Sequence, residues 1–158
     1  MEETFNQEEP RRRGRPRVTE RQIPDHPEDF INYYRNLSFI EREKTIRAGI
    51  TKRQLVCLKE VLKFDYDTLA GTLGITTRAL FLRKLDQPFS RLLSDRIAIL
   101  LELYCYGLDV FGEHELLLEW LTTPNETLLN QRPIDLLHTH PGVLEVRARL
   151  HRLCIGQF

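Results

Sequence analysis

Helix punctuation constrains this chain more than any other feature. Apolar residues recur three and four apart in short bursts, and most bursts carry a capping residue at one end and Gly or Pro at the other. Ser38 with Glu41, and Thr51 with Gln54, both have the spacing of a capping box, in which each side chain accepts the other residue's backbone N–H. Gly49 ends the first of these helices. The second carries Leu55, Val56, Leu58, Val61 and Leu62 on its apolar face. Upstream, Phe30, Ile31, Tyr33, Tyr34 and Leu37 predict a short helix after Pro27.

Downstream, "DYDTLAGTLGITTRALFLRKL" predicts two short helices broken at Gly74, the second capped by Thr76. A longer, central helix starts at Ser90 or Ser94 and runs to Phe111, where Gly112 ends it. "EHELLLEWL" predicts another, stopped by Thr122-Thr123-Pro124-Asn125. Pro133 suits the first position of a short helix ending near Leu137. Pro141 opens the last helix, with Val143, Leu144, Val146, Leu150 and Leu153 at helical spacing and Gly156 as its stop. No stretch keeps a strand's alternation for long, so the fold class is all-α.

At 158 residues the chain is long enough for one compact domain or two small ones. Its longest uncharged run is too short to span a bilayer, and it opens on Glu2 and Glu3 followed by basic residues, unlike a signal peptide. Cys57, Cys105 and Cys154 lie far apart within apolar patterns, which reads as reduced, buried thiols in a cytoplasmic protein.

Charge cancels overall, 23 Lys and Arg against 23 Asp and Glu, so bulk basicity gives no argument for nucleic acid. Its distribution does. Residues 1–26 lack apolar periodicity and read as a disordered arm. Within it, residues 2–9 carry Glu2, Glu3, Glu8 and Glu9, and residues 11–21 carry Arg11, Arg12, Arg13, Arg15, Arg17 and Arg21 against Glu20. "RRRGRPR" resembles an AT-hook. Gly14 and Pro16 would hold an extended backbone in a narrow minor groove, and Arg13, Arg15 and Arg17 would lie along its floor, where A·T tracts concentrate negative potential. The competing reading is a basic tail that binds phosphates without sequence preference.

"LAGTLGITTRAL" resembles a helix-turn-helix. Counting from Tyr66, Ala70 is fifth, Gly74 ninth and Leu80 fifteenth. The small residue admits a close helix crossing, the glycine takes the turn, and the leucine locks the second helix. Thr77 and Arg78 would then meet DNA, with Arg83 and Lys84 on phosphates. Arg83 stands where an apolar residue is usual, and Phe81 and Leu82 occupy outward slots better suited to a protein interface. The motif is therefore either a DNA reader or only a packing and dimerisation unit.

Nothing points to catalysis. There is no phosphate-cradling glycine loop, no nucleophile elbow and no cysteine–histidine signature, so neither an enzyme nor a cofactor is expected. His138 and His140, with His151 and Cys154, could in principle ligate zinc. However, His151 and Cys154 ride a helix three residues apart, and this reads as a surface histidine pair and a core cysteine rather than a metal site.

From about Arg96 to Phe158 the chain resembles the toxin-binding domain of the Xre/MbcA/ParS antitoxin family. The residues that carry the likeness are "SDRI" at 94–97, "VFG" at 110–112, "WLTTPN" at 120–125, Pro133-Ile134-Asp135-Leu136-Leu137 with Thr139, Gly142-Val143 through Val146 to Leu150, and "GQF" at 156–158. With the preceding helical region, residues from about 50 onward fit. Asn130 replaces a glycine usual in the family, and "YCYGL" at 104–108 departs from its alanines. Asn tolerates a left-handed backbone, so the turn at Asn130 is expected to survive.

The resemblance implies an antitoxin paired with a RES-domain toxin that consumes NAD. Such an antitoxin covers the toxin's active-site entrance and represses its own operon. Trp120, Leu121, Leu136 and Leu137 are expected in the core, while Pro124, Asn125, Asn130 and Pro133 fix a loop. Arg147, Arg149 and Arg152 on the last helix, then Gln157 and Phe158, form the expected toxin contact. The expected organisation is an arm over 1–26, a helix-turn-helix-like DNA-binding or dimerisation region over 27–93, and a toxin-binding domain over 94–158. The expected assembly is a homodimer that joins toxin in a hetero-oligomer and meets A·T-rich operator DNA through the arm. The alternative is a stand-alone transcriptional regulator without a toxin.

Overall fold

Both capping boxes close as their spacing predicts. Ser38 N–H donates to Glu41 Oε2 at 2.8 Å and Glu41 N–H to Ser38 Oγ at 3.4 Å. Thr51 and Gln54 exchange the same pair of bonds at 2.8 and 3.4 Å. In the computed structural model, which describes residues 23–156, these boxes open the second and third of eight α-helices. The helices are α1 (Pro27–Arg35), α2 (Phe39–Ala48), α3 (Lys52–Leu62), α4 (Tyr66–Leu73), α5 (Thr77–Leu82), α6 (Arg91–Phe111), α7 (His114–Thr122) and α8 (His140–Cys154). Among the described residues no strand forms, only two isolated bridges, Thr51 with Pro88 and Asn125 with Gln131. The fold is all-α. The arginine arm lies outside the described residues.

The axis is α6. Its 21 residues bury Ile97, Ala98, Leu101 and Tyr104, and it packs against α1, α2 and α4 as well as α7 and α8. One continuous apolar cluster runs from Phe30 on α1 to Leu150 on α8. Of the two serines that could start α6, Ser90 caps it, accepting the Leu93 N–H at 3.4 Å. Ser94 lies inside instead, where it accepts the Ile50 N–H at 2.9 Å and donates to the Phe89 carbonyl. A buried hydroxyl with both partners supplied is a clamp between the α2–α3 junction and the start of α6.

The segment after α5 folds back over the start of α3. Lys52 and Arg53 N–H groups donate to Gln87 and Leu85 carbonyls at 3.4 and 2.8 Å, and Phe89 N–H donates to Ile50 O at 2.8 Å. These bonds satisfy donors that a helix N-terminus leaves orphaned. Lys52 itself is only 8% exposed. Its ammonium donates to the Phe81 and Arg83 carbonyls at 3.2 and 3.0 Å, capping the C-terminus of α5 from the neighbouring helix.

Four expectations are corrected. Val56 is half-buried, and Cys57 takes the buried place beside Leu58. Leu144 faces solvent while Val143, Val146 and Leu150 are buried. Cys154 is exposed rather than in the core, because no described element covers it at the last turn of α8. The short helix at Pro133 is a 3-10 turn, Pro133–Leu136, and a second 3-10 turn over Glu126–Leu128 was not anticipated.

Candidate partner-binding surface

The segment between α7 and α8 is built by side chains that hold backbone. The Asn125 side-chain oxygen accepts the Thr127 N–H at 2.9 Å and its hydroxyl at 2.7 Å. Asn125 N–H donates to Gln131 O at 3.1 Å, and Asn130 N–H to Asn125 O at 2.9 Å, so residues 125–131 close on themselves. Leu129 and Asn130 both take left-handed backbone, at φ 56° and 60°. The expected tolerance of Asn130 is met. Leu129 is the unexpected one, since this conformation costs a residue with a bulky Cβ substituent about 1–2 kcal/mol. Leu128 points inward and is buried, whereas Leu129 is 88% exposed.

Thr139 caps α8 by accepting the Gly142 N–H at 3.1 Å. Leu121 and Leu137 are buried, and Trp120 and Leu136 are half-buried against the same core. The Trp120 and Phe111 ring centroids lie 5.8 Å apart, joining α7 to the end of α6.

The three arginines of α8 have different occupations. Arg149 pairs with Glu145 at 2.6 Å and donates to the Thr127 carbonyl at 3.0 Å, tethering the 125–131 loop to α8. Arg147 lies over the Tyr106 ring, 5.7 Å from its centroid, and the Tyr106 hydroxyl meets His151 Nδ1 at 3.1 Å. Arg152 is exposed and makes no ion pair among the described residues. Gln157 and Phe158 lie outside the described residues, directly beyond α8. Arg149 and Arg152, three apart, are neighbours along one side of α8.

Gly74, at φ 68°, is the C-cap of α4, and Thr76 is the N-cap of α5. The Thr77 hydroxyl donates to Asp67 at 2.6 Å. Arg83 donates to the Pro88 carbonyl at 2.7 Å and stacks over Phe89. Both side chains serve the fold, while Arg78 and Lys84 face solvent. The second helix has only six residues, and Phe81 and Leu82 on it are 58% and 73% exposed. Arg13, Gly14, Arg15, Pro16 and Arg17 lie outside the described residues.

No reactive cluster is assembled among the described residues. Burial pushes the Cys57 thiol up and the Cys105 thiol up to about 11, so both stay protonated near neutrality. His138 and His140 lie at the start of α8 and Cys154 at its far end, and no group of three or more potential metal ligands gathers among the described residues. No described helix is long and apolar enough to cross a membrane.

Residues 107–154 match the family model of the antitoxin Xre/MbcA/ParS C-terminal toxin-binding domain. Residues 107–154 are thus similar to the toxin-binding domain of Xre/MbcA/ParS antitoxins. The matched segment starts near the C-terminal end of α6 and runs to the last residue of α8, so it contains the 125–131 loop and all three α8 arginines. No curated protein matches the sequence. A domain of this kind implies a toxin as the partner of residues 107–154. Leu129 escaped the sequence reading because Leu128-Leu129 looks like two core residues. Asn125 with Thr127 two residues on was the available signal for a tight turn there.

Proposed function

We propose that this antitoxin neutralises a RES-domain, NAD-consuming toxin by covering the toxin's active-site entrance with the C-terminal end of α8. The match to a toxin-binding domain that ends on α8 carries this reading. The exposed end of that helix supports it: Arg152 and Ile155 face solvent there, and Gln157 and Phe158 follow. An aromatic residue beside arginines is the composition of an interface anchor. Inhibition is steric, with no chemistry by this chain, and the working form is a homodimer that joins toxin in a hetero-oligomer.

The test is truncation after Ile155, which spares the half-buried Leu153. Co-expressed with the toxin encoded beside it, the full chain restores cellular NAD and growth. The truncated chain raises the concentration needed for half-inhibition in vitro by about tenfold or more, the loss expected of an anchor residue. Equal inhibition by both would remove the C-terminal end from the mechanism.

The chain also represses its own operon, with the arm as the main DNA contact. The fold ties down Thr77 and Arg83 and leaves Arg78 and Lys84 for phosphates, which supports the arm over α5 as the source of sequence preference. Arg15→Ala is expected to weaken binding to A·T-rich duplex several-fold more than to G·C-rich duplex in a gel-shift titration at fixed salt. Equal loss on both would show a plain electrostatic tail.

A further inference from the structure

We infer that Leu129 is an anchor for the toxin, inserted into an apolar pocket of that partner; this rests on the toxin-binding reading above. The fold gives no use for the side chain. It is 88% exposed and sits on left-handed backbone at φ 56°, where glycine or asparagine would be unstrained. Strained backbone under a side chain that buries nothing within the chain is the mark of a role outside the fold.

The loop presents this leucine rigidly. Leu128 is fixed in the core on one side of it, and the Asn125 side chain and backbone hold both ends of the turn. Arg149 reaches across from α8 to the Thr127 carbonyl and is itself held by Glu145. An anchor whose position is set before contact loses little entropy on binding.

The occupant is the toxin rather than a second copy of this chain. The loop falls inside the matched toxin-binding segment, residues 107–154. Arg149 ties it to α8 within that same segment. The partner must therefore offer an apolar pocket for a branched aliphatic side chain.

Two variants of the full chain test this by calorimetric titration with the toxin encoded beside it. Leu129→Gly relieves the backbone and is expected to leave the thermal midpoint unchanged or raised, while toxin affinity falls about tenfold. Leu129→Asn keeps a residue that tolerates left-handed backbone, separating loss of the side chain from loss of loop stiffness, and is expected to lose affinity to the same extent. If wild type binds toxin and Leu129→Asn binds equally well, the inference falls while the toxin-binding reading stands. If wild type binds no toxin, both fall.

Discussion

Replacing Gly142 with alanine is expected to destabilise the protein by about 2–4 kcal/mol, combining overpacking with a weakened helix cap. A Cβ there would lie 2.0 Å from the Leu136 carbonyl oxygen and 2.9 Å from both its carbon and Thr139 Oγ1. The first two are backbone atoms of the Pro133–Leu136 turn and cannot rotate aside. Either that turn or the start of α8 has to move, and the Gly142 N–H to Thr139 bond that caps α8 moves with it. The thermal midpoint is expected to drop by roughly 10 °C. If the end of α8 contacts toxin as proposed, inhibition should weaken in the same variant. Gly71→Ala is the control with the opposite sign. Nothing lies within 4 Å of its added Cβ, and it sits inside α4, where alanine is preferred by about 1 kcal/mol. An unchanged midpoint for Gly142→Ala would mean that α8 does not depend on this seating.

The contrast between these two glycines marks what can be read from sequence alone. Helix starts and stops were legible because caps act over three or four residues: Ser38, Thr51, Thr76, Gly74 and Gly112 all stand where local chemistry puts them. Asn130 was legible for the same reason, since its tolerance of left-handed backbone is its own property. Contacts that join distant segments were not. Nothing around Lys52 announces that its ammonium closes the end of α5, 29 residues away, and Ser94 looked like a second possible cap rather than a buried clamp.

Periodicity also identifies an apolar face without saying whether a neighbour arrives to cover it. Leu144 and Cys154 continue the pattern of α8 yet face solvent, because α6 and the Pro133–Leu136 turn cover only the side bearing Val143, Val146 and Leu150. For the candidate site the same limit applied. The α8 arginines were visible as a basic set, but Arg149 as a loop tether and Leu129 as an outward leucine depend on how 125–131 folds over α8.

Leu101→Ala is expected to cost about 2–5 kcal/mol, the range for truncating a buried leucine. This is a large share of the 5–15 kcal/mol that holds a typical domain. Leu101 is fully buried at the middle of α6, within the single apolar cluster that spans α1 to α8. The site of the loss makes it informative about the proposed division into 27–93 and 94–158. Since α6 supplies core to α1, α2 and α4 as well as to α7 and α8, both regions should lose stability together. Fluorescence of Trp120, the only tryptophan, follows the C-terminal part, and amide exchange along α3 follows the N-terminal part. In the variant the two probes should shift to the same lower denaturant midpoint. If α3 amides kept their protection while Trp120 unfolded early, residues 27–93 would be a separate folding unit. A shared core predicts the opposite, in which a partner bound at α8 stabilises the 27–93 region through α6.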